Sequence, residues 1–435
     1  MSRSLPPERV LIVGAGLSGL VAAHRLAAAG RSVLVLEASA GIGGKHATET
    51  LAGIACERWP SFLPRAARAY TELEAELGFG SAIARIPLSR VGWLRGDHVI
   101  TGSTRACEWM RRSPLAAPRL RRLSLLSSWL GSEIDPEAPE RSTRLDDRSI
   151  ADFCRVYLGR RALDAFLAPL FATAFGSDAA QTSRELLFAL LDGRAEIGLD
   201  LVPGAAALVD ALAARAPEIR TGARVAAIDT DGRGARLESG ERLAADAVLL
   251  AVGSDEAMRL LPDASPAERA AAGKLEAGSG LALALATRPG VELPARVLCV
   301  PERAGGELAG VIDATPADAR GLRLLHLVAR PSLFARHGHR PDDEIAHFLI
   351  ESAARLVPGL SGAIEARRLH RLPRALPAFS VGHYRALEVL RESMRNRPGR
   401  RVALAGDWLV APHLEGELAS GLRAAAEPGA LSPRA

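Results

Sequence analysis

The stretch from Arg9 to Glu37, "RVLIVGAGLSGLVAAHRLAAAGRSVLVLE", constrains the fold more than any other part of the chain. "RVLIV" is a short β-branched run suited to a buried parallel strand. Gly14, Gly16 and Gly19 follow as G-x-G-x-x-G. The first glycine allows a tight turn, the second lets a pyrophosphate approach the backbone, and the third lets helix and strand pack closely. An apolar helical pattern runs from Leu17 to Ala29, and Gly30 stands where a C-terminal cap belongs. The second strand ends in Glu37, 18 residues past Gly19, near the spacing of an acid that bonds a ribose hydroxyl. Strand, turn, helix, strand and acid together predict a dinucleotide cradle in an α/β, Rossmann-like fold. Glu37 argues against a 2′-phosphate, because two anions would meet there.

A second glycine loop, "GIGGKHATET", follows at once, with Gly43-Gly44-Lys45 at its centre. Glycines permit close backbone approach and a cation offsets phosphate charge; a flexible surface loop is the plainer alternative. Farther on, Gly222 to Gly253 reads as strand, Asp-Gly turn, strand, turn and strand. Arg400 to Ala425, "RRVALAGDWLVAPHLEGELASGLRAA", reads as a strand ending in Ala-Gly-Asp, a loop, and a helix opening near Leu414.

Together these stretches resemble the FAD-dependent amine oxidase superfamily, whose FAD domain is of the glutathione-reductase type. The resemblance implies that Gly14, Gly16, Leu17, Ser18, Gly19, Glu37 and Ala38 hold the ADP half of FAD. It implies that Gly43, Gly44 and Lys45 pass beside the diphosphate and that Val225 gives adenine its backbone contacts. By the same resemblance Gly406 and Asp407 reach the ribityl–phosphate part, and Leu414 and Glu415 aim backbone amides at the flavin pyrimidine. Reduced flavin gathers negative charge there, and a helix N-terminus stabilises it. No second dinucleotide loop is found for NAD. No cysteine lies near Asp407 or the final helix, so the FAD is expected to be non-covalent.

The middle of the chain narrows the resemblance. "GGKHATETLAGIACERWPSFLPRAARAYTELEAELGF", "RSIADFCRVYLGRRALDAFLAPLFATAFGSDAAQTS", "VPGAAALVDALAAR" and "ALPAFSVGHYRALEVLR" are similar to protoporphyrinogen oxidase-like members. The closing Leu414-Glu415-Gly416 form is instead like phytoene desaturases and amine oxidases. The resemblance implies hydride removal from a largely apolar, ring-containing or polyene substrate, with O2 as the expected acceptor. Amine or amino-acid oxidation, carotenoid-type desaturation, flavin-dependent isomerisation and ligand binding without turnover stay open.

Composition adds exclusions. The chain has 435 residues, 48% apolar, and a net charge of +5. Only Lys45 and Lys274 are lysines, so the positive charge is carried by arginine, and no basic stripe interleaved with aromatics points to nucleic acid. No apolar run is long enough to span a bilayer, and "MSRSLPPERV" lacks the apolar core of a secretory signal. Cys56, Cys107, Cys154 and Cys299 are too scattered for a metal site or a disulfide framework. A cytoplasmic location is expected. Around Ser113 to Glu133, Leu120, Leu123, Leu126, Leu130 and Trp129 are expected on one helical face flanked by Arg119, Arg121 and Arg122. Such a helix can contact a membrane surface or pack on its own domain.

The expected organisation is an FAD domain in three pieces, 1–95, 201–255 and 386–435. A helical substrate lobe fills 96–200, and 256–385 supplies a mixed sheet under the substrate pocket, with a helix near Asp342. No catalytic residue is fixed. His413 entering the final helix, Trp59 and Arg58 are pocket candidates, each with a plainer structural reading. His383 is read as structural, and no metal is expected.

Overall fold

The chain was analysed as a computed structural model that describes residues 8–80, 83–88, 91–95, 98–102, 104, 116–131, 134–135, 138–191, 196–315, 321–397, 399 and 401–427. The opening unit is β1 (Arg9–Val13), α1 (Leu17–Ala28) and β2 (Ser32–Leu36). β1 and β2 pair in parallel, with Val10 opposite Val33 and Val13 opposite Leu36. They sit inside a five-stranded sheet ordered Ile219–Arg220, β2, β1, Ala247–Leu250, Val402–Leu404. Every pairing in it is parallel, which explains the near-continuous apolar runs: both faces of such a sheet are covered.

The closing helix, Leu414–Ala426, packs along α1. Their approach needs Gly421, where an added methyl would stand 2.5 Å from the Ser18 carbonyl oxygen. Val225–Ile228, Gly234–Leu237 and Arg242–Ala244 form the expected antiparallel three-stranded insert.

A second, seven-stranded sheet is ordered Ile364–Pro377, Ala277–Thr287, Arg323–Ala329, Leu308–Asp313, Val297–Cys299, Val91–Arg95, His98–Gly102. It is mixed: Val297–Cys299 runs parallel to Val91–Arg95 and the other pairs are antiparallel. The helix Asp342–Ala354 covers one face with its own apolar cluster. On the other side lie Ile150–Tyr157, Leu163–Leu167, Ala168–Phe175 and Arg184–Leu190, whose Phe153, Phe166, Phe171, Phe175 and Phe188 are fully buried.

One expectation fails in its details. The helix Ala116–Gly131 forms, and Leu123 is buried, but Trp129 is 64% exposed and Leu125 63%. At about 3.6 residues per turn, Trp129 stands about 120° around the helix from Leu123, so the two cannot share a face. The side chains of Leu120 and Leu130 lie outside the described residues. Among the described residues no helix is long and apolar enough to cross a membrane. Cys56, Cys154 and Cys299 are free and buried, and burial pushes their thiols up to about 12. Cys107 lies outside the described residues.

Candidate flavin site

The glycine turn that opens the site is built by sterics. Gly14 sits at φ +105°, and a methyl there would stand 2.3 Å from the Ala251 carbonyl oxygen. A methyl on Gly19 would stand 2.1 Å from the Gly14 carbonyl oxygen. At Gly16 the same methyl would meet nothing within 4 Å. Gly16 is also the N-cap of α1 and supplies no side-chain cap, so the first turn presents its amides to the space beside Gly16, a ready anion site. The second glycine loop closes the other side. The Gly43 amide donates to the Ala15 carbonyl at 2.8 Å, and a methyl on Gly44 would be 3.5 Å from the Gly16 Cα.

Glu37 follows directly on β2 and faces this turn. Its carboxylate accepts from the Ala15 amide at 2.9 Å, from the Ser39 amide at 2.8 Å and from the Ser39 hydroxyl at 2.6 Å. Ala38 is exposed beside it. Val225 is buried in the small sheet, where its carbonyl accepts from Arg259 Nη2 at 3.3 Å. Open space at Gly16, an uncapped helix N-terminus and two glycine loops in contact fit a dinucleotide diphosphate.

The far end of the site is made of side chains. Gly406 adopts φ +147°, where a methyl would lie 2.5 Å from the Trp408 indole nitrogen. That indole donates to the Val252 carbonyl at 3.0 Å. The turn brings Asp407 to Lys45, and Lys45 Nζ also pairs with Glu417 Oε1 at 3.0 Å. Although burial works against the charge of Lys45, the two carboxylates hold its ammonium well above the usual lysine range. Burial, with the Glu417 charge adding to it, raises the Asp407 carboxyl. Glu417 is buried too, yet His46 and Lys45 hold it down to about 2. The lysine charge expected for phosphate is thus already shared between two carboxylates.

His46, next to Lys45, places Nε2 2.8 Å from Glu417 Oε1 and Nδ1 2.9 Å from Ser61 Oγ. Ser61 Oγ donates to Glu57 Oε2 at 3.0 Å. Burial raises the Glu57 carboxyl above the usual range. Lys45, His46, Ser61 and Glu417 share a narrow cleft with the apolar Trp59, Phe62, Phe175, Leu376, Pro377 and Pro412.

His413 borders the same cleft. It is the N-cap of the closing helix, its Nδ1 accepting from the Gly416 amide at 3.1 Å. With Nδ1 accepting, the ring proton stands on Nε2. Burial, with Lys45 adding to it, lowers the imidazole to about 4, so His413 is a neutral N–H donor and not a base.

The other expected residues take specific places. Trp59 is buried in the cleft wall, packed where Gly176 and Gly280 leave room. Arg58 lies outside the cleft, half exposed, 3.5 Å from Glu49. The Glu415 carboxylate accepts from the Ala69 and Tyr70 amides at 2.7 and 2.9 Å, so it caps a neighbouring helix. The Ser18 hydroxyl donates to the Glu417 carbonyl at 2.9 Å. Leu414 is buried. His383 donates Nε2–H to the Trp408 carbonyl at 2.8 Å and stacks on Phe379, a structural role.

Sequence reasoning missed Glu417, His46, Ser61 and Glu57. Glu417 lies 371 positions from His46, so no spacing signal joins them. Each stood inside a motif quoted for another reason.

Residues 17–427 match the family described as "Flavin containing amine oxidoreductase". The chain belongs to this family. Membership implies a flavin cofactor and oxidoreductase chemistry. Among solved structures, this chain is similar to a protein described as a protoporphyrinogen oxidase from Exiguobacterium, at 21% identity, covering 96% of this chain and 98% of that one, with a TM-score of 0.74. It is similar at 18% identity to putrescine oxidase bound to putrescine, covering 97% and 98%, with a TM-score of 0.74. Cyclohexylamine oxidase from Brevibacterium oxydans gives 19%, the same coverage and 0.71. These likenesses establish the shared fold. A curated L-amino-acid oxidase from Sistrurus catenatus edwardsii is 62% identical, but only over 42 residues, 10% of this chain and 8% of that protein.

Proposed function

We propose that the chain is an FAD-dependent oxidase that removes hydride from a largely apolar, ring-containing or polyene substrate, in the manner of protoporphyrinogen oxidase-like members. The observation that carries this reading is the cleft at the start of the closing helix, walled by Trp59, Phe62, Phe175, Leu376 and Pro377. Such walls exclude water and select apolar rings. FAD supplies the hydride acceptor when bound. In this reading the Leu17, Ser18 and Gly19 amides meet the diphosphate and Glu37 takes a ribose hydroxyl. Val225 lies by adenine, Asp407 by the ribityl chain, and the Leu414 and Glu415 amides by the pyrimidine. His413 offers Nε2–H to a substrate or ring acceptor. The FAD is held without a covalent bond, from stretches 1–95, 201–255 and 386–435, and O2 reoxidises it.

Amine oxidation is the second reading. The ionised Glu417 carboxylate in the cleft favours it, since it suits a cationic substrate, and the putrescine and cyclohexylamine oxidase likenesses are compatible with it. Anaerobic mixing of the yellow holoprotein with a panel of porphyrinogens, polyenes and amines separates the two. Bleaching by an apolar ring compound and not by amines is expected; bleaching by amines alone would reverse the order.

The same reading places the protein in the cytoplasm with weak peripheral membrane contact through Leu125 and Trp129 beside Arg121 and Arg122. Flotation with anionic vesicles at low salt should carry a fraction of the protein into the lipid layer, and flotation of none would remove membrane contact from the reading.

A further inference from the structure

Oxidation by two electrons removes a hydride and leaves a proton to be disposed of. The cleft-lining groups limit where that proton can go. Lys45 is already an ammonium, and His413 is held neutral with its one basic nitrogen occupied by the Gly416 amide. Glu417 is the carboxylate that faces the cleft, and behind it runs an unbroken series of hydrogen bonds. Glu417 Oε1 meets His46 Nε2 at 2.8 Å, His46 Nδ1 meets Ser61 Oγ at 2.9 Å, and Ser61 Oγ meets Glu57 Oε2 at 3.0 Å. Glu57 then lines a second small cleft with Ala55, Pro203, Gly204, Ala314 and His326. Ser61 borders both clefts.

We propose that Glu417, His46, Ser61 and Glu57 form a proton wire that carries the substrate's proton from the apolar cleft to the second cleft. The proposal rests on the oxidase reading above. Its physical core is that the series satisfies every hydrogen bond in two ways. In one, a protonated Glu417 donates to His46 Nε2, His46 Nδ1–H donates to Ser61, and Ser61 donates to an ionised Glu57. In the other, Glu57 carries the proton and donates to Ser61, Ser61 donates to Nδ1, and Nε2–H donates to an ionised Glu417. Three concerted shifts convert the first into the second. A proton enters at Glu417 and an equivalent proton arrives at Glu57, while no heavy atom has to move. No electrons are transferred within the wire; the hydride's two electrons stay with the acceptor.

The surroundings set the direction. Lys45 and Asp407 face Glu417, and the ammonium favours its ionised form. Among the described residues Glu57 accepts from the Ser61 hydroxyl and from the Ala206 amide at 3.4 Å, with His46 nearby and His326 across the second cleft, and its burial favours the protonated form. The second arrangement is therefore the lower of the two, and the transfer runs away from the substrate. Glu57 passes its proton on to the second cleft, and the hydrogen bonds of the series reset to those of the first arrangement before Glu417 accepts again.

Infrared spectroscopy of the holoenzyme tests the wire without turnover. A protonated-carboxyl band at neutral pH should vanish in Glu57→Gln and shift in Ser61→Ala, which removes its acceptor. Absence of any such band assignable to Glu57 would overturn the proposal. The kinetic arm is anaerobic flavin reduction in H2O and D2O. Ser61→Ala should slow reduction by about tenfold or more and move its pH profile, and Ser61→Thr should restore both. An unchanged rate and profile in Ser61→Ala would sink the wire while leaving the oxidase reading intact. Failure of the wild-type flavin to be reduced by any of the panel would sink the oxidase reading, and the infrared result would still decide whether Glu57 holds the proton.

Discussion

The two ends of the site are made of different material. At the diphosphate end the work is done by backbone: Gly14 and Gly19 are crowded by carbonyl oxygens at 2.3 and 2.1 Å, Gly16 faces open space, and α1 presents uncapped amides. At the ring end it is done by side chains from distant stretches, with Lys45, Asp407, Glu417, His46 and Ser61 locked together. At Gly14 and Gly19 the backbone tolerates no added atom. A side-chain site tolerates reshaping but depends on every charge having its partner.

The sharpest test of this contrast is Gly19→Ala. The methyl would meet backbone that cannot yield, so the variant should fail to reach a folded, flavin-loaded state, as read by circular dichroism and flavin absorbance. At the ring end, Lys45→Met leaves two buried carboxylates without their cation and should cost about 3–5 kcal/mol in denaturant unfolding. Lys45→Arg should recover most of it. A loss as small as that of an exposed pair would mean the cluster is not a buried one.

Acid should expose the same cluster. Glu417 is held at about 2, below the usual glutamate value of about 4.3, so its contribution is fully present above about pH 4.3 and is lost as pH falls through about 2. It is worth about 3 kcal/mol. Asp407 and Glu57 are shifted upward and work in the opposite sense, so the contribution is read as the difference in pH dependence between wild type and Glu417→Gln. Equal slopes between about pH 4 and 2 would remove Glu417 as an acid-sensitive prop.

Gly16→Ala turns the comparison around. Its φ of −75° suits alanine and its methyl meets nothing, so the apoprotein should melt as wild type does. FAD should nevertheless bind about tenfold or more weakly, since the space belongs to the diphosphate. Unchanged FAD affinity would move the diphosphate elsewhere. The smallest effect is expected from His413→Ala, which loses an N-cap worth about 0.5–2 kcal/mol and removes the donor at the cleft. Calorimetry should show the modest loss while flavin content is kept.

Glu415 shows how a motif residue can be right in place and different in role. Its position at the start of the closing helix was legible from "HLEGELASG", but its carboxylate is spent on the Ala69 and Tyr70 amides. Arg58 was a pocket candidate by adjacency to Trp59. The chain bends just past the strand Ile54–Glu57, and Arg58 turns outward to Glu49 while Trp59 enters the wall.

What the sequence by itself determined is the part governed by local sterics and period. That covers the β–α–β opening, the glycines that must be glycine, the acid at the end of β2, the three-stranded insert and the turn at Gly406. Each rests on contacts within a few residues or on a backbone conformation that few side chains allow, so each leaves a readable mark. What only the tertiary structure decided is the buried charge cluster and the hydrogen-bonded series behind it. Glu417 and His46 are joined across 371 positions, and Ser61 and Glu57 became functional candidates only when the sheets and the closing helix brought them to one cleft. Burial gave those groups their altered acidity, and burial is a property of the packed chain.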